Sequence, residues 1–254
     1  TELLTNYGEI MSIWFDGHWD QTNPEGHADR SSRIDWKYDE IYGLIHRLQP
    51  QCLIGNNHHL TPLPGEDFQM FERDLPGENK SGLSYQQASD ELPLETCETI
   101  NGSWGYNITD RKYKTVAQVI QLLAGAAGRN ANLLLNVGPM PTGAIQPEFT
   151  DTLAAAGQWL QQYGESIYGT RGGPLKPQPW GVTTQKDKKV YLHLFSLPAA
   201  GSITIPAGNQ KVKSLTLLHN NTAVKYKQNK EELIVYTDGL LPEGPDTVIV
   251  LEWK

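Results

Sequence analysis

The run NLLLNV at residues 132–137 is almost continuously apolar and is closed by Gly138-Pro139. A strand that alternates apolar and polar residues can leave one face to water, whereas a run apolar throughout suits a strand covered on both faces. The arrangement that does this is a parallel sheet flanked by helices. The neighbouring segments agree. Residues 115–127 place Val116, Val119, Ile120, Leu122 and Leu123 at helical spacing with Gly128 as the C-cap, and residues 148–163 turn Phe149, Leu153, Ala156, Trp159, Leu160 and Tyr163 to one side. Helices between strands predict crossover connections rather than hairpins.

Upstream, a second pattern repeats. IMSIWFDGHW (residues 10–19) reads as a strand through Met11, Ser12, Ile13, Trp14 and Phe15 that ends in Asp16-Gly17. After a polar loop at residues 20–33, residues 35–48 present Trp36, Ile41, Leu44, Ile45 and Leu48 as a helical face, with Pro50 just beyond. QCLIG (51–55) is then a short strand ending in Asn56, Asn57, His58 and His59, and DFQMFE (67–72) is another, closed by Glu72. LETCETI (94–100) follows, with Glu95, Cys97 and Thr99 on one face and Thr96 and Glu98 on the other, and leads into the aromatic loop NGSWGYN (101–107). Five strand units in series fit either an open doubly wound sheet or a closed barrel. No Gly-rich phosphate fingerprint follows any strand, and acids recur at several strand ends, so the barrel is favoured. The opening TELLTNYGEI reads as the end of a helix running into a strand, so five barrel strands are expected here and three upstream. From Gly172 the composition turns to a Gly/Pro-rich linker and then to short strands at 190–197, 202–205, 211–218, 223–227, 232–236 and 247–253. The expected fold is therefore α/β: the C-terminal part of a (β/α)8-like barrel over residues 1–171, then an antiparallel β-sandwich over 172–254.

The net charge of −8 and the scatter of basic residues argue against a nucleic-acid partner, and no apolar stretch approaches bilayer-spanning length. The aromatics are 7 Trp and 11 Tyr against 5 Phe, a bias toward rings with an apolar face and a polar edge, suited to the C–H faces of sugars. Cys52 and Cys97 lie in buried-looking strands, where packing accounts for them as well as a disulfide does, and no metal site follows. Three Asn-x-Ser/Thr triplets, at Asn101, Asn107 and Asn220, carry no weight. Paired carboxyls at a barrel mouth among aromatics are the equipment of a glycosidase, with a gap of about 5 Å indicating retention and about 6.5–9.5 Å inversion. On residue type alone Asp16 could equally be a turn residue. Glu72, followed by Arg73 and Asp74, could equally be half of a solvated ion pair.

IWFDGHW, the NNHH strand end, DFQMFERDLPG, LETCETINGSWGYN and GRNANLLLNVGPMPTGAIQP with WLQQYGESIYGTRGGP resemble, in order, the second half of the catalytic barrel of glycoside hydrolase family twenty-nine, the α-L-fucosidases. The likeness is strongest to bacterial, Bacteroides-type members, and the tail resembles their C-terminal β-sandwich. The resemblance implies a retaining exo-α-L-fucosidase acting on fucosylated oligosaccharides or glycoconjugates, with no cofactor and no metal. Asp16 would be the nucleophile forming a covalent fucosyl-enzyme, Trp14 would line the fucose pocket and Glu72 would be the general acid/base, with Glu66, Asp67 and Glu95 as competitors. Trp104 would pack against the sugar methyl group. Many members carry N-D-R where this chain has Asn56, Asn57 and His58, which makes His58 a candidate sugar contact. The resemblance further implies a periplasmic or secreted protein whose barrel is completed by an N-terminal half. The alternatives are a retaining glycosidase for another sugar and a non-catalytic carbohydrate-binding protein.

Overall fold

A computed structural model of the 254-residue chain describes residues 1–18 and 34–254, so Trp19 and the loop read at 20–33 lie outside the described residues. These residues form a mixed α/β structure of two compact units, Thr1–Glu98 and Thr99–Lys254. The division follows chain packing and falls elsewhere than the change of composition near Arg171.

In the first unit, helix α1 (Glu2–Asn6) precedes strand β1 (Ser12–Phe15), helix α2 (Tyr38–Leu48) and strands β2 (Leu53–Asn56), β3 (Gln69–Glu72) and β4 (Leu94–Thr99). β1 pairs in parallel with β2, setting Trp14 opposite Gly55 and Phe15 opposite Asn56. A parallel bridge from Gly55 to Phe68 carries the order on to β3, which pairs in parallel with β4 so that Glu72 faces Cys97. Gly55 is required by this step, because any Cβ there would overlap the Phe68 ring. The long connections between successive strands dictate the parallel sense. Tyr42 and Ile45 of α2 bury against Leu4, Cys52 and Ile54, each contributing about 1.5–3 kcal/mol. Gln49, just past α2, ties the segment before β1 to this core. Its Nε2 donates to the carbonyls of Leu4 and Gly8, both at 2.9 Å, and its Oε1 accepts from Ile10 N at 2.7 Å. α2 starts later than residue 35. Asp35 Oδ1 accepts from Lys37 N at 3.0 Å, Lys37 adopts a left-handed φ of 55°, and Trp36 is left outside the helix.

The second unit contains helix α3 (Val116–Ala127), strand β5 (Ala131–Asn136), helix α4 (Pro147–Tyr163) and eight further strands. Thr115 caps α3 with a reciprocal capping box, its Oγ1 accepting from Gln118 N at 3.2 Å and its N donating to Gln118 Oε1 at 2.8 Å. Gly128 ends α3 as read, with right-handed backbone. The expectation that 132–137 is covered on both faces is corrected. Leu135 packs with the α3–α4 cluster, but Leu134, on the alternate face, is 46% exposed, because within this unit the helices cover one side of β5 only.

The further strands are β6 (Arg171–Gly172), β7 (Gly181–Lys186), β8 (Lys189–Leu194), β9 (Ser202–Pro206), β10 (Val212–Leu217), β11 (Tyr226–Gln228), β12 (Glu232–Tyr236) and β13 (Thr247–Trp253). They form one antiparallel sheet in the order β10-β13-β8-β7-β6 and another in the order β11-β12-β9. β6 and β7 add to the strands expected from the sequence: β6 is two residues long at the start of the Gly/Pro-rich linker, and β7 follows that linker with the strand formers Val182, Thr183 and Thr184. Period two sorts the side chains of the larger sheet. Leu192, Leu194, Ile249 and Leu251 pack with Ile205, Leu233 and Val235 of the smaller sheet, while Tyr191, Val248 and Val250 pack with Val119, Ile120, Trp159 and Tyr163 of the helices. On the helix side His193 is wholly buried, its Nδ1 at 2.6 Å from Asp246 Oδ2 and its Nε2 at 3.2 Å from Thr184 Oγ1. Among the described residues no helix is long and apolar enough to cross a membrane.

Candidate active site

Parallel order brings the carboxyl ends of β1, β2 and β3 into one row, where folds of this kind gather their chemistry. Asp16 follows β1 and is solvent-exposed, and the chain leaves it through Gly17 at φ 87°, a backbone that suits glycine. The β1–β2 ladder continues one step past the strands, with Asn57 N donating to Phe15 O at 2.9 Å. That step sets the Asn57 side chain between two acids from different strands. Its Nδ2 donates to Asp16 Oδ1 at 3.3 Å and to Glu72 Oε2 at 2.9 Å. The same Glu72 oxygen lies 3.1 Å from His59 Nε2, and Arg73 Nε stands 4.0 Å from Glu72 Oε1.

A second group faces these acids from β4. Glu95 and Cys97 are two residues apart on one face, and Trp14 is two before Asp16 on β1. Trp14 Nε1 donates to Glu95 Oε1 at 3.0 Å. Burial raises the Glu95 carboxyl above its ordinary value, and the Trp14 bond opposes the shift. The Cys97 thiol is pushed up to about 12, first by burial and then by the charges of Glu72, Glu95 and Asp16, which marks it as inert and the four groups as neighbours. Three strand spacings in a flat sheet separate β1 from β4 by about 14 Å. An indole and a carboxylate do not span that gap, so the Trp14–Glu95 bond requires a curled sheet.

The other acids are engaged elsewhere. Glu66 Oε1 accepts from Tyr42 OH at 3.0 Å and lies 2.8 Å from His58 Nε2, with its side chain 1% exposed. Leu60 N donates to His58 Nδ1 at 2.9 Å, so the His58 ring carries its proton on Nε2 and gives it to Glu66. Both His58 nitrogens are thus committed inside the protein, and it is His59, one residue on, that reaches Glu72. Asp67 Oδ2 accepts from Ile54 N at 2.8 Å and pairs with His46 at 2.9 Å, which fastens it to β2.

Of the residues read from the sequence, Asp16, Glu72 and Trp14 belong to this first-unit group. Trp104 lies in the second unit, in a loop held by Asp110, whose Oδ2 accepts from Gly102 N at 2.9 Å and from Ser103 Oγ at 2.8 Å. The Trp104 carbonyl accepts from Asn136 Nδ2 at 2.8 Å, and its side chain is partly exposed. Asn57 and His59 were not singled out. The cluster of four polar residues after β2 was visible, but the ladder step at Asn57 and the left-handed φ of 61° at His59 decide which of them turn to the acids.

The family model described as Alpha-L-fucosidase matches residues 1–165. The chain is 33% identical over 229 residues to an α-L-fucosidase of Dictyostelium discoideum, covering 85% of this chain and 45% of that one. It is 26% identical over 273 residues to the mouse tissue α-L-fucosidase, covering 99% and 53%. Among solved structures it superposes on α-L-fucosidase isoenzyme 1 from Paenibacillus thiaminolyticus with a TM-score of 0.75 and 34% identity, covering 100% of this chain and 60% of that one. The chain spans about half the length of the curated relatives it matches.

Proposed function

Because the chain belongs to the α-L-fucosidase family, we propose that it carries the catalytic pair of a retaining exo-α-L-fucosidase acting on fucosylated oligosaccharides or glycoconjugates. Asp16 is the nucleophile and Glu72 the general acid/base. The observation that carries this reading is the Asn57 amide shared between them. Bonds of 3.3 Å and 2.9 Å to one nitrogen keep Asp16 Oδ1 and Glu72 Oε2 within about 6 Å of each other. So short a link between the two carboxyls supports retention.

In the first step an Asp16 oxygen attacks the anomeric carbon, the bond to the leaving oxygen breaks, and Glu72 supplies that oxygen's proton. The glycosyl-enzyme ester neutralises Asp16. Glu72, now ionised, takes a proton from water, whose oxygen attacks the same carbon and releases the sugar and Asp16. Trp14, anchored by Glu95, offers an apolar ring beside the nucleophile. The curled parallel order β1-β2-β3-β4 supports a barrel segment in the first unit. The core shared by the two antiparallel sheets supports a β-sandwich over 172–254.

The test is release of phenol from an aryl α-L-fucoside by the full-length protein. Asp16→Ala should abolish turnover with binding retained. Added azide should restore Glu72→Ala through an α-fucosyl azide, the product of a retained configuration. Phenol release undiminished in Asp16→Ala would sink the assignment, and sugar binding without any release by the wild type would favour a carbohydrate-binding protein.

A further inference from the structure

Two donors converge on one oxygen of Glu72: Asn57 Nδ2 at 2.9 Å and His59 Nε2 at 3.1 Å, both on Oε2. The His59 side chain is 5% exposed and that of Glu72 12%. The backbone is bent to achieve this. His59 and Arg73, the residue after Glu72, both sit at φ 61°, a left-handed conformation that non-glycine residues hold only where the surroundings impose it. Arg73 N is fixed by Cys97 O at 2.8 Å. An ionised carboxylate only accepts, so His59 presents its Nε2 proton to Glu72. Asn57 donates to both acids, whereas the Nε2 contact of His59 is with Glu72.

We propose that His59 is a positioning residue for Glu72: with Asn57 it occupies Oε2, so that the transferable proton resides on Oε1 and the carboxyl is aimed at the leaving oxygen. The inference rests on the reading of Glu72 as the acid/base. The same bond sets the proton affinity. Donors to the ionised form lower a carboxyl's pKa, so removing His59 raises that of Glu72. Among the described residues, the charged groups near Glu72 include Asp16 beyond Asn57, Glu95 on β4 and Arg73 beside it, with the Cys97 thiol also on β4. They are common to every variant compared, so they cancel from the comparison.

The experiment uses full-length wild type, His59→Ala, His59→Gln and Glu72→Ala with aryl α-L-fucosides of graded leaving-group acidity, reading kcat/KM against pH. For His59→Ala the basic limb should move to higher pH by about half to one unit. Poor leaving groups should lose about 10- to 100-fold and the best only a few-fold, since they need little protonation. His59→Gln, which keeps a neutral donor, should restore both the limb and the leaving-group slope. A uniform loss across leaving groups with the limb unmoved would mark His59 as merely structural and overturn the proposal, as would wild-type behaviour of His59→Ala. If Glu72→Ala itself shows no leaving-group dependence, the acid/base assignment fails. If it shows one and His59→Ala does not, only the role of His59 falls. Should His59→Ala not fold, His59→Asn carries the same test, because its shorter amide ends well before Glu72.

Discussion

Buried histidines stand against carboxylates in both units, and two of these pairs, His193–Asp246 and His59–Glu72, are built for different ends. In the second unit His193 and Asp246 are 2.6 Å apart, both side chains are 0% exposed, and the remaining ring nitrogen is met by Thr184 Oγ1 and the Ser166 carbonyl. In the first unit His59 and Glu72 are 3.1 Å apart, and the Glu72 carboxylate also accepts from Asn57, whose amide bridges it to the exposed Asp16. A lone histidine–carboxylate contact therefore carries no function by itself. What separates them is the company kept. The sealed pair has neutral hydrogen-bond partners and links β8 to the residue just before β13, whereas the first-unit pair stands among Asp16, Glu95 and Cys97, where the surplus of negative charge is itself costly.

The sharpest way to break this contrast is to remove the carboxylate on the functional side. Glu72→Ala should reduce kcat on a natural fucoside by about 10²- to 10⁴-fold, the usual contribution of general acid–base catalysis, and by far less on an activated aryl fucoside. Its melting temperature should stay close to wild type. If instead stability collapses and the rate on natural substrates holds, the first-unit pair is structural after all.

The mirror experiment is His193→Ala. Removing one partner of a buried pair leaves Asp246 uncompensated, and the expected loss is about 3–5 kcal/mol of stability. Asp246 Oδ1 already has no hydrogen-bond partner among the described residues, so little is at hand to absorb the charge. The folded fraction should retain wild-type kcat/KM. Chemical denaturation alongside turnover at a temperature where the variant remains folded checks both parts, and a specific loss of turnover at unchanged stability would overturn the division.

How much of this was legible in the sequence follows from what each feature depends on. Asp16 and Glu72 stood out because a strand that ends in an acid is a local pattern. The α3 capping box depended on four residues and was readable in kind as a helix start at Thr115. The faces of β5 were not, because one-sided or two-sided cover depends on which other elements arrive. Asn57 and His59 were hidden for a related reason. Their neighbours Asn56 and His58 have the same chemistry but turn inward to Tyr42 and Glu66, and only the parallel register of β1 with β2 separates the two sets. Trp36 was misplaced in a helix because the Asp35 turn that delays α2 competes with an apolar period equally present in the sequence.

The smallest expected effect, and the finest test of the contrast, concerns Glu95. The sealed His193–Asp246 pair is compensated, whereas Glu95 is desolvated with only the Trp14 bond against it, so its pKa is raised in the folded state. Between the ordinary glutamate value and that raised value the folded protein keeps a proton that the unfolded chain has lost. The stability this group contributes is thus fully present below the ordinary value and is lost as pH rises through the folded one. Glu95→Gln keeps an acceptor for Trp14 Nε1 and removes the titration. Relative to that variant, wild type should become progressively less stable as pH rises from acid toward neutral, read as urea midpoints across that window. A difference that stays flat with pH would mean that Glu95 is not held at an energetic cost. Glu95→Ala should behave differently from Glu95→Gln, because it also frees the indole beside Asp16, and its added loss should appear in KM for the sugar rather than in the pH dependence of stability.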